Sequence, residues 1–149
     1  MVISVPSGNF GNLVAGLFAE KIGLPVERFV ASTNVNDTVP EYFETGIFRP
    51  RPSVKTISNS MDVGNPSNFA RMLELYEHEK DLMLEEVYAT SFTDEETKKA
   101  IGDVFKKYDY IMDTHAAVAY LGLREYTDKL SHTVNRIFLG TAHPAKFLD

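Results

Sequence analysis

Val2-Ile3-Ser4-Val5-Pro6-Ser7-Gly8-Asn9-Phe10-Gly11-Asn12-Leu13-Val14 opens on a short β-branched run and passes through a turn that holds two glycines. It then enters a segment, 12–22, whose apolar residues Leu13, Val14, Leu17, Phe18 and Ile22 recur with helical spacing. Gly23 stops that helix, Pro25 follows, and Arg28-Phe29-Val30-Ala31-Ser32 is the next strand. Strand, helix and strand in this order form a βαβ unit, whose crossover makes the two strands parallel. The turn at Ser7–Asn12 stands where a strand ends and a helix begins. Backbone N–H groups point outward there, the helix dipole favours negative charge, and Gly8 and Gly11 let the chain turn tightly and approach an oxygen-rich group. A phosphate suits such a turn. Gly-Asn pairs also build turns with no ligand, because Asn tolerates left-handed backbone angles. The stretch matches neither the Walker pattern nor the three-glycine dinucleotide fingerprint.

Outward from this unit, 33–66 changes character: Pro40, Pro50, Pro52 and Pro66 fall here among many Asn, Asp, Ser and Thr residues. A short helix at 41–45 and a short strand at 54–58 are expected, joined by loops long enough to carry function. An amphipathic helix is expected at 68–79, and 82–87 reads equally as helix or loop. Tyr88–Phe92 reads as extended. Thr93-Asp94-Glu95-Glu96 has the form of a capping box and predicts a helix over 94–107. Tyr110-Ile111-Met112 is a short buried strand or turn, 116–129 a helix that Asp113 or Thr114 caps, and 133–139 the last strand. The alternation predicts an α/β fold, an open, mainly parallel sheet with flanking helices.

The chain has 149 residues and a formal net charge of −6, with 44% hydrophobic and 24% charged residues, which is the profile of a folded domain or part of one. Basic residues are scattered on an acidic chain, so neither nucleic acid nor an anionic membrane is an expected partner. No apolar run approaches the roughly 18 residues of a membrane span, and the first residues lack a signal peptide's features, so a cytoplasmic protein is expected. The absence of cysteine excludes disulfides, thiol nucleophiles and thiolate metal sites. His78, His115, His132 and His143 include no pair at helical spacing, and no metal site is expected.

Five segments, in order, resemble threonine synthase: Val5-Pro6-Ser7-Gly8-Asn9-Phe10-Gly11-Asn12; Thr33-Asn34-Val35-Asn36-Asp37-Thr38-Val39-Pro40; Arg51-Pro52-Ser53; Ser58–Phe69; and Thr141-Ala142-His143-Pro144-Ala145-Lys146-Phe147. The resemblance implies a pyridoxal 5'-phosphate enzyme of the tryptophan-synthase β-subunit-like fold, fold type II. It implies conversion of O-phosphohomoserine and water to threonine and phosphate. The Asp62–Phe69 segment argues against the related serine and threonine dehydratases. By the same resemblance, residues 1–149 are a C-terminal portion of the catalytic region. Gly8, Asn9, Phe10 and Asn12 would hold the cofactor phosphate, with Gly11 permitting the turn, and Thr141 would face the pyridine nitrogen. A hydroxyl there can donate to an unprotonated ring nitrogen, whereas an Asp would keep it protonated and strengthen the electron sink.

Other polar residues read two ways. Asp62, Asn65, Ser67, Asn68, Asn34, Asn36 and Asp37 either line the cleft or form Asx-turns and caps. Arg49 and Arg51 suit a substrate phosphate, but solvated charges in a Pro-rich loop are the favoured reading. His143 is expected to shape its loop and His115 to be structural. The family's Schiff-base lysine lies upstream of the glycine-rich loop, and neither Lys55 nor Lys146 has its local pattern, so no catalytic residue is assigned and the chain alone is expected to be inactive. The apolar cleft face is expected to promote self-association. The alternative is a stand-alone module that binds a phosphorylated ligand without catalysis.

Overall fold

The computed structural model describes residues 1–147. Strand β1 (Val2–Pro6) leads through the glycine-rich turn into helix α1 (Gly11–Lys21), and strand β2 (Arg28–Thr33) follows. Next come α2 (Thr38–Thr45), a 3-10 turn at Asn59–Met61, α3 (Phe69–Leu75), α4 (Lys80–Glu86), β3 (Val87–Ser91), α5 (Asp94–Tyr108), α6 (Thr114–Thr127), β4 (Arg136–Phe138) and a 3-10 turn at Pro144–Lys146. The four strands form one sheet in the order β3-β2-β1-β4, and every pairing is parallel. The open parallel α/β sheet expected from the βαβ reading is therefore present.

Both faces of the sheet are covered, as parallel sheets require. Val5, Phe29 and Ala31 pack with Leu13, Val14 and Leu17 of α1 and with Phe69, Met72 and Met83, the largest core cluster. On the opposite face Val2 and Val30 meet Leu123 of α6. The approach of α6 is close: a Cβ on Gly122 would lie 1.9 Å from Ser32 Oγ. That hydroxyl is itself paired with Ser4 Oγ at 2.9 Å inside the sheet.

Several expectations change. Helix α2 begins at Thr38, ahead of Pro40, because first-turn positions have no intrahelical acceptor for their N–H and tolerate proline. The helix expected over 68–79 stops at Leu75, Glu77 and His78 beyond it take positive φ, and the ambiguous 82–87 stretch lies mostly in α4. No strand forms at 54–58 or at 110–112, and β4 is three residues long. The capping box of α5 is present in full, with the Thr93 hydroxyl and Glu96 carboxylate each accepting from the other's backbone N–H.

Candidate functional site

The order of the strands creates the site. From β1 the chain crosses to β2 and on to β3 on one side, while β4 returns on the other side of β1. The carboxyl ends of β1 and β4 are thus adjacent where the winding direction reverses, which is the place where open α/β sheets leave a crevice. The loops following these two strands, far apart in sequence, meet there. A cavity of about 220 Å³ is lined by Pro6, Gly8, Asn9, Phe10, Gly11 and Asn12 from the first loop, Ser60 and Met61, His115, and Thr141 from the last. All six residues expected to contact a cofactor line this one cavity.

The turn itself is shaped differently from expectation. Its left-handed residue is Phe10, at φ 63°, while Gly11 is already helical as the first residue of α1. Phe10 can hold this strained angle because its ring is buried in the core against α1. Gly8 is needed for a different reason. A Cβ there would lie 2.7 Å from Met61 Cα and 3.0 Å from the Ser60 carbonyl oxygen, so the turn is pressed against the 3-10 turn.

The consequence is a row of donors. Among the described residues, the N–H groups of Gly8, Asn9, Phe10, Gly11, Asn12 and Leu13 donate to no protein acceptor, and the first helical bond is Val14 N–H to Phe10 O at 2.9 Å. A helix start alone leaves only its first few N–H groups unpaired. Here the free run extends back through the turn to Gly8. The arrangement is a concave nest of peptide dipoles at the positive end of a helix, suited to an oxyanion of phosphate size.

Asn9 directs its side chain away from this role, since its Oδ1 accepts from Ser67 N–H at 2.6 Å and Ser67 Oγ at 3.1 Å. That bond ties the cradle to the start of α3. Buried His115 and Asp113 lie behind it. Asp113 caps α6 by accepting from the N–H groups of His115 and Ala116, and it meets His115 Nδ1 at 3.0 Å.

The central polar residues divide. Asn34, Asn36 and Asp62 form a buried network that serves the backbone of 54–58. Asn36 Oδ1 accepts from Val54 N–H at 2.7 Å, Asp62 Oδ2 from Thr56 N–H at 3.0 Å, and Asp62 Oδ1 from Thr56 Oγ1 at 2.7 Å and Asn34 Nδ2 at 2.9 Å. Side chains here replace the neighbouring strand that this segment lacks. Arg51 pairs with Glu41 and Asp37, and Arg49 with Glu41 at 2.8 Å, so both guanidinium groups are engaged within the loop region. Arg51 and then Arg49 hold the Glu41 carboxyl below its ordinary range. His143 accepts from Ala145 N–H at 3.2 Å and shapes its own turn. Sequence reasoning missed Ser60 and Met61 as neighbours of the cradle. Only the absence of a Cβ at Gly8 hinted that another backbone comes close.

No group of three His, Asp or Glu side chains that could hold a metal occurs among the described residues. No described helix is long and apolar enough to cross a membrane.

Fold and site together define an open parallel α/β protein with a row of free backbone donors lining a cavity at its topological switch point. Within that class the chain is homologous along its whole length to a C-terminal portion of threonine synthase. It is 48% identical over 149 residues to the threonine synthase of Serratia marcescens, covering all of this chain and 34% of the relative. The crystal structure of threonine synthase from Escherichia coli superposes with a TM-score of 0.85 at 47% identity, over 98% of this chain and 33% of that one. A pyridoxal-phosphate-bound threonine synthase from Brucella melitensis gives 0.90 at 32% identity, over 99% of this chain and 36% of that one. The chain therefore spans about a third of the length of these relatives. No protein-family model matches the chain.

Proposed function

We propose that this chain, residues 1–149, is the part of a threonine synthase that cradles the phosphate of pyridoxal 5'-phosphate and faces its ring, within an enzyme converting O-phosphohomoserine and water to threonine and phosphate in the cytosol. The observation that carries this reading is the uninterrupted row of free N–H donors from Gly8 to Asn12, lining the same cavity as Thr141. The phosphate would lie on the N–H groups of Gly8, Asn9, Phe10, Gly11 and Asn12, where the start of α1 adds its dipole. Thr141, brought beside the cradle by the β1–β4 pairing, would offer its hydroxyl to the pyridine nitrogen. The cofactor, when bound, supplies an electron sink for reaction at the substrate's carbon skeleton. The cradle's part is to hold and orient it.

Among the described residues, no lysine lines the cavity. We therefore assign no catalytic residue here, and the amine that binds the cofactor's aldehyde must come from elsewhere in the enzyme. The 149-residue chain is expected to bind pyridoxal phosphate or inorganic phosphate without turning over O-phosphohomoserine. Assaying threonine release with added cofactor tests this, and sustained turnover by the chain alone would contradict it. Apolar side chains left exposed at the end of α5 and beyond, Phe105, Tyr108, Tyr110 and Ile111, support self-association of the isolated chain.

A further inference from the structure

We propose that His115 is a positioning residue of the cradle: it holds the Ser60–Met61 backbone against Gly8 and so sets the shape of the phosphate nest. The proposal rests on reading Gly8–Asn12 as that nest.

The geometry runs in one line from a helix end to the cavity. Asp113 is fixed as the cap of α6 by the N–H groups of His115 and Ala116. Its carboxylate stands 3.0 Å from His115 Nδ1, so this nitrogen carries the proton and donates it. The opposite nitrogen, Nε2, then has a free lone pair, and it accepts from Ser60 N–H at 3.3 Å. Both bonds call for the same tautomer. Ser60 and Met61 form the 3-10 turn on which Gly8 rests, close enough that even a Cβ at Gly8 would collide with it. His115 is 3% exposed, its imidazole packs on Phe147 at 4.8 Å between ring centroids, and the residue lines the cavity. A buried polar side chain satisfied at both nitrogens by opposite roles fixes a backbone position far better than an apolar one of equal size.

The test uses the full 149-residue chain with inorganic phosphate and pyridoxal phosphate as probes. Binding is followed by the phosphorus NMR shift of the probe and by cofactor absorbance. His115→Phe keeps an aromatic ring beside Phe147 but cannot accept from Ser60. It is expected to weaken both probes by about twofold to tenfold, the loss of one hydrogen bond's net worth, and to move the bound phosphorus resonance. His115→Gln, whose amide oxygen can reach the Nε2 position, is expected to recover part of the affinity. Gly8→Ala is the control for the cradle itself. If Gly8→Ala weakens binding while His115→Phe binds like the wild type with the same phosphorus shift, the role of His115 is refuted and the cradle stands. If the wild-type chain binds neither probe, or Gly8→Ala binds as well as wild type, the cradle reading fails. Nitrogen-15 NMR of His115 in the unmodified chain needs no variant: protonation at Nδ1 alone is expected, and a proton on Nε2 overturns the proposal even if His115→Phe does not fold.

Discussion

At the scale of single residues, the cradle depends on two positions that break ordinary preferences. Phe10, 4% exposed, holds a left-handed angle that glycine would adopt freely, and its ring is what the core receives in return. The sequence invited the opposite assignment, with Gly11 as the flexible residue, because two glycines flanking Asn9 and Phe10 look interchangeable until packing is known. Gly122 shows how magnitudes decide. Alanine would gain roughly 1 kcal/mol of helix propensity there. Its Cβ would strike the buried, hydrogen-bonded Ser32 hydroxyl, and overpacking of this kind costs about 1–3 kcal/mol. Gly122→Ala is expected to be net destabilising in urea unfolding, and Gly122→Ala combined with Ser32→Ala to recover part of the loss. Glu86 sets a pH dependence. Burial pushes its carboxyl up, but hydrogen bonds from Lys21 at 2.5 Å and Tyr76 at 2.5 Å outweigh this and hold it below the ordinary 4.5. A carboxyl lowered on folding stabilises fully above its unfolded value and loses that contribution as pH falls through its folded one. Urea titrations of wild type and Glu86→Gln are expected to converge on acidification below pH 4.5, with the wild type more stable at neutral pH; a constant gap would contradict the assignment.

At the scale of elements, what could be read from sequence was what is encoded locally. The α5 capping box, the Gly23 stop and the first βαβ unit each need only neighbouring residues, and each is present. The expected strand at 54–58 failed because its β-branched residues satisfy a local preference while its partners lie elsewhere. Its N–H groups are claimed by Asn36, Asp62 and Asp94 side chains, contacts that no local pattern announces. Asn34, Asn36 and Asp62 are all engaged in holding this segment. Asn34 donates to Thr56, Ser58 and Asp62 while accepting from Asn36, and it is 1% exposed. Asn34→Ala, which strands several buried partners, is expected to cost about 2–4 kcal/mol. Thr93→Ala, at the exposed cap of α5, is expected to cost only about 1 kcal/mol. Equal costs would contradict the view that the loop segment is held by a buried network.

At the scale of the whole molecule, the site is a product of topology. Residues 7–12 and 141 were legible as motifs, but their convergence follows only from β4 returning beside β1, opposite to β2. The chain spans about a third of its relatives' length, and its surface carries apolar side chains that single folded domains seldom group together: Tyr108, Tyr110 and Ile111 are each more than half exposed. Light scattering across a concentration series is expected to show association of the isolated chain, reduced by Tyr110→Ser with Ile111→Ser. A monomer at every concentration would contradict it.

Whether the Gly8–Asn12 amides bind phosphate is read residue by residue in amide-resolved NMR of the labelled 149-residue chain. On titration with pyridoxal phosphate, saturable shifts are expected at the N–H groups of Gly8 through Asn12, with Ser60 and Thr141 moving beside them. Shifts confined to the separate, larger cavity lined by Lys55, Lys98 and Lys146, with the Gly8–Asn12 amides unmoved, would contradict the account.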